Sequence, residues 1–193
     1  MNTPVSESLA LQSLALRLEA QEAKLPAVTS LPTRLADASS VGRQITELGH
    51  LIAEMGQAIE ARAAVEPLPE HVLRTAWTYG GVADRMGQTV SALGAATDQL
   101  ATLTHLGPLR GRRDVDQALA TAGQVIEEAV STAHSELAEA GRSIRTTVAI
   151  IDAQRARFEA ARARSAFTSP QSAPSPQAGA PAPAGSLSLV RSR

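Results

Sequence analysis

The sequence contains few side chains whose type and spacing indicate catalysis or metal binding. Glu47 and His50 form one Glu-x-x-His step, the spacing by which carboxylate-bridged di-iron bundles present two ligands from one helix. In the heptad pattern of this region both residues fall on the outward face, and the chain has no second copy of the step. We therefore interpret both as surface residues, and the sequence predicts no metal site and no cofactor.

The other nucleophiles and titratable groups do not form the patterns of known catalytic sites. No serine lies in a Gly-x-Ser-x-Gly elbow, and no glycine-rich phosphate loop is present. The three remaining histidines, His71, His105 and His134, are not spaced to share one helix face. The carboxylates at positions 127, 128, 136 and 139 form a run that is typical of a solvated helix surface. We therefore predict that the protein is not an enzyme.

Two stretches bear on nucleic-acid binding. Residues 35–45 partly resemble the opening of a helix-turn-helix motif, but Ser40 stands where a turn glycine is usual. The apolar spacing also continues through this stretch without a break, which favours one straight helix. Residues 110–113 form a small basic cluster that could give only weak, salt-sensitive phosphate contacts. The net charge of −1 gives no overall attraction to a polyanion.

Composition favours a helical protein. The chain has 193 residues, of which 44% are hydrophobic and 2% aromatic, and alanine and leucine supply most of the apolar content. There is no cysteine, so neither a disulfide nor a thiolate zinc site can form. The sequence has neither a run of 18 apolar residues nor the pattern of a secretory signal. We expect no transmembrane segment and a cytoplasmic location.

The chain is organised around residues 41–104, in which two heptad-patterned segments flank Pro67, Leu68 and Pro69. Their apolar residues recur at alternating steps of three and four, which predicts helices that pack on helices. These residues are Val41, Ile45, Leu48, Ile52, Met55 and Ile59, followed by Val72, Ala76, Tyr79, Ala83, Met86, Val90, Leu93 and Leu100. A fold at Leu68 brings the two stripes together, which predicts an antiparallel helical hairpin.

Glycine also recurs every seventh residue in this hairpin. The positions are Gly42, Gly49 and Gly56 in the first segment and Gly80, Gly87 and Gly94 in the second. Interior helix glycine costs roughly 1 kcal/mol relative to alanine, so six of them should be offset by some structural gain. The same fold at Leu68 sets these glycines opposite one another. We predict that the helices approach closely there, or that the glycines form a groove for the side chains of a third helix.

The whole chain predicts an all-α fold, an antiparallel, coiled-coil-like bundle of four helices with a disordered C-terminal tail. Residues 1–32 supply a short first helix, over residues 6–24, and a proline-bracketed connection. Residues 33–166 form the bundle from the 41–104 hairpin and a long last helix over residues 114–166. Residues 167–193, rich in proline, alanine and serine, are predicted to be disordered.

The last helix is longer than the hairpin against which it packs. At about 1.5 Å per residue it should project past Leu68 by roughly 25 Å, unless it breaks near Gly141. The projecting stretch carries apolar Ile151 and Phe158 beside Arg155 and Arg162. We expect the first helix not to cover it, because its connection to the hairpin lies at the opposite end. These four residues are the predicted contact surface for a second copy or for another helix.

The function that these features favour is a non-enzymatic helical scaffold or protein–protein interaction module. Two alternatives stay open. One is an accessory protein that associates weakly with nucleic acid in a regulatory or mobile-element setting. The other is a helical bundle that opens on a lipid or hydrophobic surface.

Overall fold

The computed structural model describes residues 3–27, 35–64 and 66–167, and their regular structure is entirely helical. Helix α1 spans Pro4–Glu22, α2 spans Leu35–Ala63, α3 spans Glu70–Leu106 and α4 spans Arg113–Phe167. A 3₁₀ turn, Gly107–Leu109, connects α3 to α4. The all-α, four-helix prediction is confirmed. Of the predicted disordered tail, residues 167–193, only Phe167 is described, as the last residue of α4.

The helix termini follow local signals in the sequence. The Thr3 side chain accepts a hydrogen bond from the Ser6 amide at 3.2 Å, and the Ser6 hydroxyl accepts one from the Thr3 amide at 2.9 Å. This reciprocal cap starts α1 at Pro4, slightly before the predicted residue 6. In the turn that precedes α4, Gly111 has a φ of 99°, a conformation that only glycine adopts at no steric cost.

Helix α3 packs against both α2 and α4, and the pairs run antiparallel. Between α3 and α4, the Thr78 and Thr147 hydroxyls are 2.9 Å apart, and Arg85 pairs with Glu136 at 2.8 Å. Nearer the α2–α3 turn, the Gln154 amide donates to Glu70 at 3.3 Å. The partner of each successive α3 residue thus lies earlier in α4, as an antiparallel pair requires.

Helix α1 fills the remaining side of the bundle and runs antiparallel to both α2 and α4. Its start contacts the end of α2 through Glu7 and Arg62, and its end contacts the middle of α2 through Lys24 and Glu47. On the other side, Glu19 pairs with Arg145 of α4. The four helices therefore form an up-down-up-down bundle, in which α1 covers only the half nearest the α2–α3 turn.

The buried stripe on each hairpin helix is rotated from the predicted one. On α2, Val41, Leu48 and Met55 are buried as predicted, but Ile45 and Ile52 are only half-buried. On α3 the buried set includes Thr75, Val82, Thr89 and Ala96, none of which belonged to the predicted stripe. Each helix has neighbours on two sides, so its buried stripe is centred on the bundle axis and not on one partner.

This rotation overturns the prediction that the heptad glycines meet at a close helix contact. Gly42 is half-buried and the other five, Gly49, Gly56, Gly80, Gly87 and Gly94, are exposed. A Cβ added at any of the six would meet no heavy atom within 4 Å outside its own helical turn, among the described residues. The glycines lie on the outer side of the α2–α3 pair, where none of the four helices covers them.

Helix α4 is continuous from Arg113 to Phe167, so the alternative of a break near Gly141 does not occur. Five bulky residues recur at sevenfold spacing along α4: Val130, Leu137, Ile144 and Ile151 are buried in the bundle, whereas the fifth, Phe158, is exposed. Because α4 is uninterrupted, its last turns extend from the part of the helix that is packed in the bundle.

Candidate interaction surface

The end of α4 is the most exposed part of the described helices. This exposed stretch begins later along α4 than the sequence predicts. Ile151 is only 1% exposed and belongs to the main core cluster, so its assignment to the contact surface was wrong. The reason is the direction of α1, whose first turn lies at this end. Pro4 lines a shallow crevice together with Ile151 and Phe158. Helix α1 thus covers the first part of the stretch that we expected to be bare, up to about Arg155.

Beyond Arg155, no described residue of α1, α2 or α3 covers α4. Phe158 is 73% exposed, and every described side chain from position 156 to 165 is exposed. We call residues 156–167 the overhang. Phe158 and Arg162 lie on it as predicted. Arg155 lies at its base, where its guanidinium is 3.7 Å from the Glu159 carboxylate on the next turn.

A second apolar surface lies at the same end, between the end of α2 and the start of α3. It is an open groove of about 500 Å³, lined by Ile59, Arg62, Ala63, Leu68, Leu73, Ala76, Trp77 and Gly80. Trp77 is 71% exposed and Leu68 is also exposed. We call this surface the Trp77 groove. This groove was not predicted. The signal for it in the sequence was the pair Leu73 and Trp77, two large apolar residues that lie outside the predicted heptad stripe.

The contact between α1 and α2 near this end is polar and largely buried. The Arg62 guanidinium donates to the Glu7 carboxylate at 2.9 Å, with the two side chains 12% and 2% exposed. The same guanidinium lies 4.8 Å from the centre of the Tyr79 ring. Burial raises the pKa of the Tyr79 hydroxyl, which stays neutral at physiological pH. This cluster connects α1, α2 and α3 directly beneath the Trp77 groove.

Smaller crevices lie along α1 and α2. The one between α1 and α2, beside Tyr79, has a volume of about 120 Å³, whereas small-molecule sites usually hold about 300–1,000 Å³. Glu47 of the Glu-x-x-His step contacts Lys24 and Gln21, which lowers the pKa of its carboxyl, and His50 is exposed. Among the residues that the structure describes, no three histidine or carboxylate side chains are grouped to hold a metal ion.

None of the described helices combines the length and the apolar character that crossing a bilayer would need. Comparisons with protein-family models, with curated proteins and with solved structures find no match to this chain.

Proposed function

We propose that this protein is a non-enzymatic helical scaffold that associates with protein through the overhang of α4. The observation that supports this proposal is the exposure of Phe158 on a helix that is continuous with the bundle core. An exposed aromatic side chain beside arginines has the composition of an interface centre. Because the backbone of these residues is already helical, a partner does not have to order it on binding.

The first partner to test is a second copy of this chain. We expect the full chain to sediment as a concentration-dependent oligomer, and Phe158→Asp to shift it towards the monomer. Circular dichroism should show unchanged helicity and, at concentrations at which both chains are monomeric, an unchanged melting temperature, because Phe158 has few contacts to lose within its own chain. Leu16→Asp is the matched control, since Leu16 is 67% exposed on the outer face of α1. This variant should associate like the unmodified chain.

Two results would argue against the proposal. A protein that stays monomeric at all concentrations would show that the overhang does not pair copies of this chain. Salt-sensitive retention on DNA that Arg157→Gln and Arg162→Gln abolish would favour the nucleic-acid alternative instead.

The predicted cytoplasmic location stays a prediction, and imaging of the tagged protein in its host would test it.

A further inference from the structure

The overhang carries two arginines with no described ion pair, and two glutamates with no described ion pair lie close, in sequence, to residues that line the Trp77 groove. The arginines are Arg157 and Arg162, and the glutamates are Glu60 and Glu66. By contrast, the other charges near the groove are already satisfied, with Arg62 on Glu7 and Arg74 on Glu70. Each surface therefore presents an exposed aromatic residue and two charges that the other surface would complement.

The two surfaces also match in length. The hydrogen bond from Gln154 to Glu70, the first residue of α3, marks the end of the bundle. From Gln154 to Phe167, α4 extends about 20 Å further. The groove, from Leu68 to Gly80, covers about 18 Å along α3 at the same rise per residue. The overhang cannot fold back onto the groove of its own chain, because α4 is one uninterrupted helix whose last turns lie beyond the residues that pack on α1 and α3. Only an overhang from another molecule can occupy it.

We propose that a second copy of this chain fills the Trp77 groove with its overhang, and that the exchange is reciprocal. Two bundles meet at their α2–α3 turns about a two-fold axis, so each overhang lies along the groove of its partner. The same contact then occurs twice, which is the usual form of a closed dimer. This inference rests on the proposed function, and it names the surface that receives the overhang.

The single tryptophan of the chain gives a direct test. Trp77 is the only tryptophan and is exposed in the single chain, so its emission should resemble that of the free indole in water. We expect the emission to shift to shorter wavelength as the protein concentration rises through the range in which sedimentation detects the dimer. A dimer whose emission does not change would place the interface elsewhere and overturn the inference.

Complementary variants test whether the exchange is reciprocal. Trp77→Glu removes the aromatic side chain of the groove, and Phe158→Asp removes that of the overhang. Each variant should weaken self-association by about tenfold or more. A mixture of the two variants restores one intact contact, between the normal overhang of one chain and the normal groove of the other. We expect the mixture to associate more strongly than either variant alone. A mixture that remains as monomeric as its components would overturn the inference.

A cross-link adds a measurement that does not depend on affinity. The chain has no cysteine, so Ala63→Cys with Ala161→Cys introduces one thiol at the groove and one on the overhang. Under mild oxidation we expect a disulfide-linked dimer, whereas Ala20→Cys with Ala161→Cys should give none. Absence of the groove cross-link from a protein that sediments as a dimer would contradict the proposed docking.

These outcomes separate the inference from the proposed function. If Phe158→Asp dissociates the oligomer but Trp77→Glu does not, the overhang pairs through another surface and only the inference fails. If the unmodified chain does not associate, both fail. If Phe158→Asp, Trp77→Glu and the cross-link all behave as expected, both are supported.

Discussion

At each of the six heptad glycines, an added methyl group would project into open space on the outer side of α2 and α3. Nothing in the described chain requires a missing side chain at these positions. The backbone there is ordinary helix, in which alanine is the more stable residue because it restricts the unfolded chain. The glycines thus carry an entropic cost that no contact within the described chain offsets.

We predict that Gly49→Ala and Gly87→Ala each increase the free energy of unfolding by up to about 1 kcal/mol. Urea denaturation of the single variants would measure the change. Gly111→Ala is the contrasting case, since its φ of 99° is strained for alanine, and it should be destabilising. A loss of stability in both helix variants would mean that the glycines do face a close neighbour.

The buried pair of Glu7 and Arg62 leads to a second prediction at this scale. Glu7→Gln leaves the Arg62 charge without its counter-ion among largely buried neighbours. Breaking a buried ion pair from one side costs about 3–5 kcal/mol, and we expect a decrease of this order in the free energy of unfolding. Replacing both residues, Glu7→Leu with Arg62→Met, should lower the free energy of unfolding by less than Glu7→Leu alone or Arg62→Met alone.

The control for this prediction is Arg17→Gln. Arg17 pairs with Glu54 at 2.6 Å, but both side chains are about half exposed. Exposed pairs contribute little to stability, because solvent screens them, so the control should lie close to the unmodified protein. Equal losses in Glu7→Gln and Arg17→Gln would show that burial does not determine the strength of the α1–α2 contact.

Among the elements, the helices and their ends could largely be predicted from the sequence, whereas their mutual orientation could not. Pro69 with Glu70, and Leu106 with Gly107, are local signals, and α3 begins and ends there. The direction in which α1 returns along α4 is set by packing, and a proline-bracketed connection does not encode it. For this reason Phe158 was correctly predicted to be exposed, but Ile151 was not predicted to be buried.

The α1–α2 contact predicts an acid-sensitive stability. Hydrogen bonds lower the pKa of two α2 carboxyls that face α1, chiefly from Lys24 to Glu47 and from Arg17 to Glu54. A carboxyl whose pKa is lower in the folded state than in the unfolded state stabilises the protein at pH values above the ordinary carboxyl pKa of 4.5. This contribution is lost as the pH falls through the lower pKa of the folded state. The attachment of α1 should therefore weaken as the pH falls below about 4.5.

The measurement compares melting temperatures of the unmodified protein and of Glu47→Gln with Glu54→Gln. The variant lacks both titrating groups, so it should melt slightly lower at pH 7, mainly through the loss of the Glu47 contacts with Lys24 and Gln21, and the difference should shrink as the pH falls below 4.5. A difference that is independent of pH would mean that these two carboxylates do not contribute through their charge.

The molecule as a whole is a bundle whose stability should reside in the described helices. The predicted disorder of residues 168–193 lies outside them and stays a prediction from composition. We expect a chain that ends at Phe167 to retain the helicity, the melting temperature and the self-association of the full protein. A lower melting temperature after this truncation would show that the tail packs on the bundle.

The number of helices around α4 changes along its length. Near its start it packs with α3 and the first turns of α2, as the small cluster of Leu100, Ile126 and Val130 shows. From about His134 to Ile151 it is also covered by α1, and beyond Arg155 no other described helix covers it. Backbone amides in one continuous helix should therefore exchange with solvent at three different rates, because local opening is easiest where fewest contacts must break. The slowest amides should lie between Ala133 and Ile151, and slower exchange of the last turns at high protein concentration would report when a partner arrives.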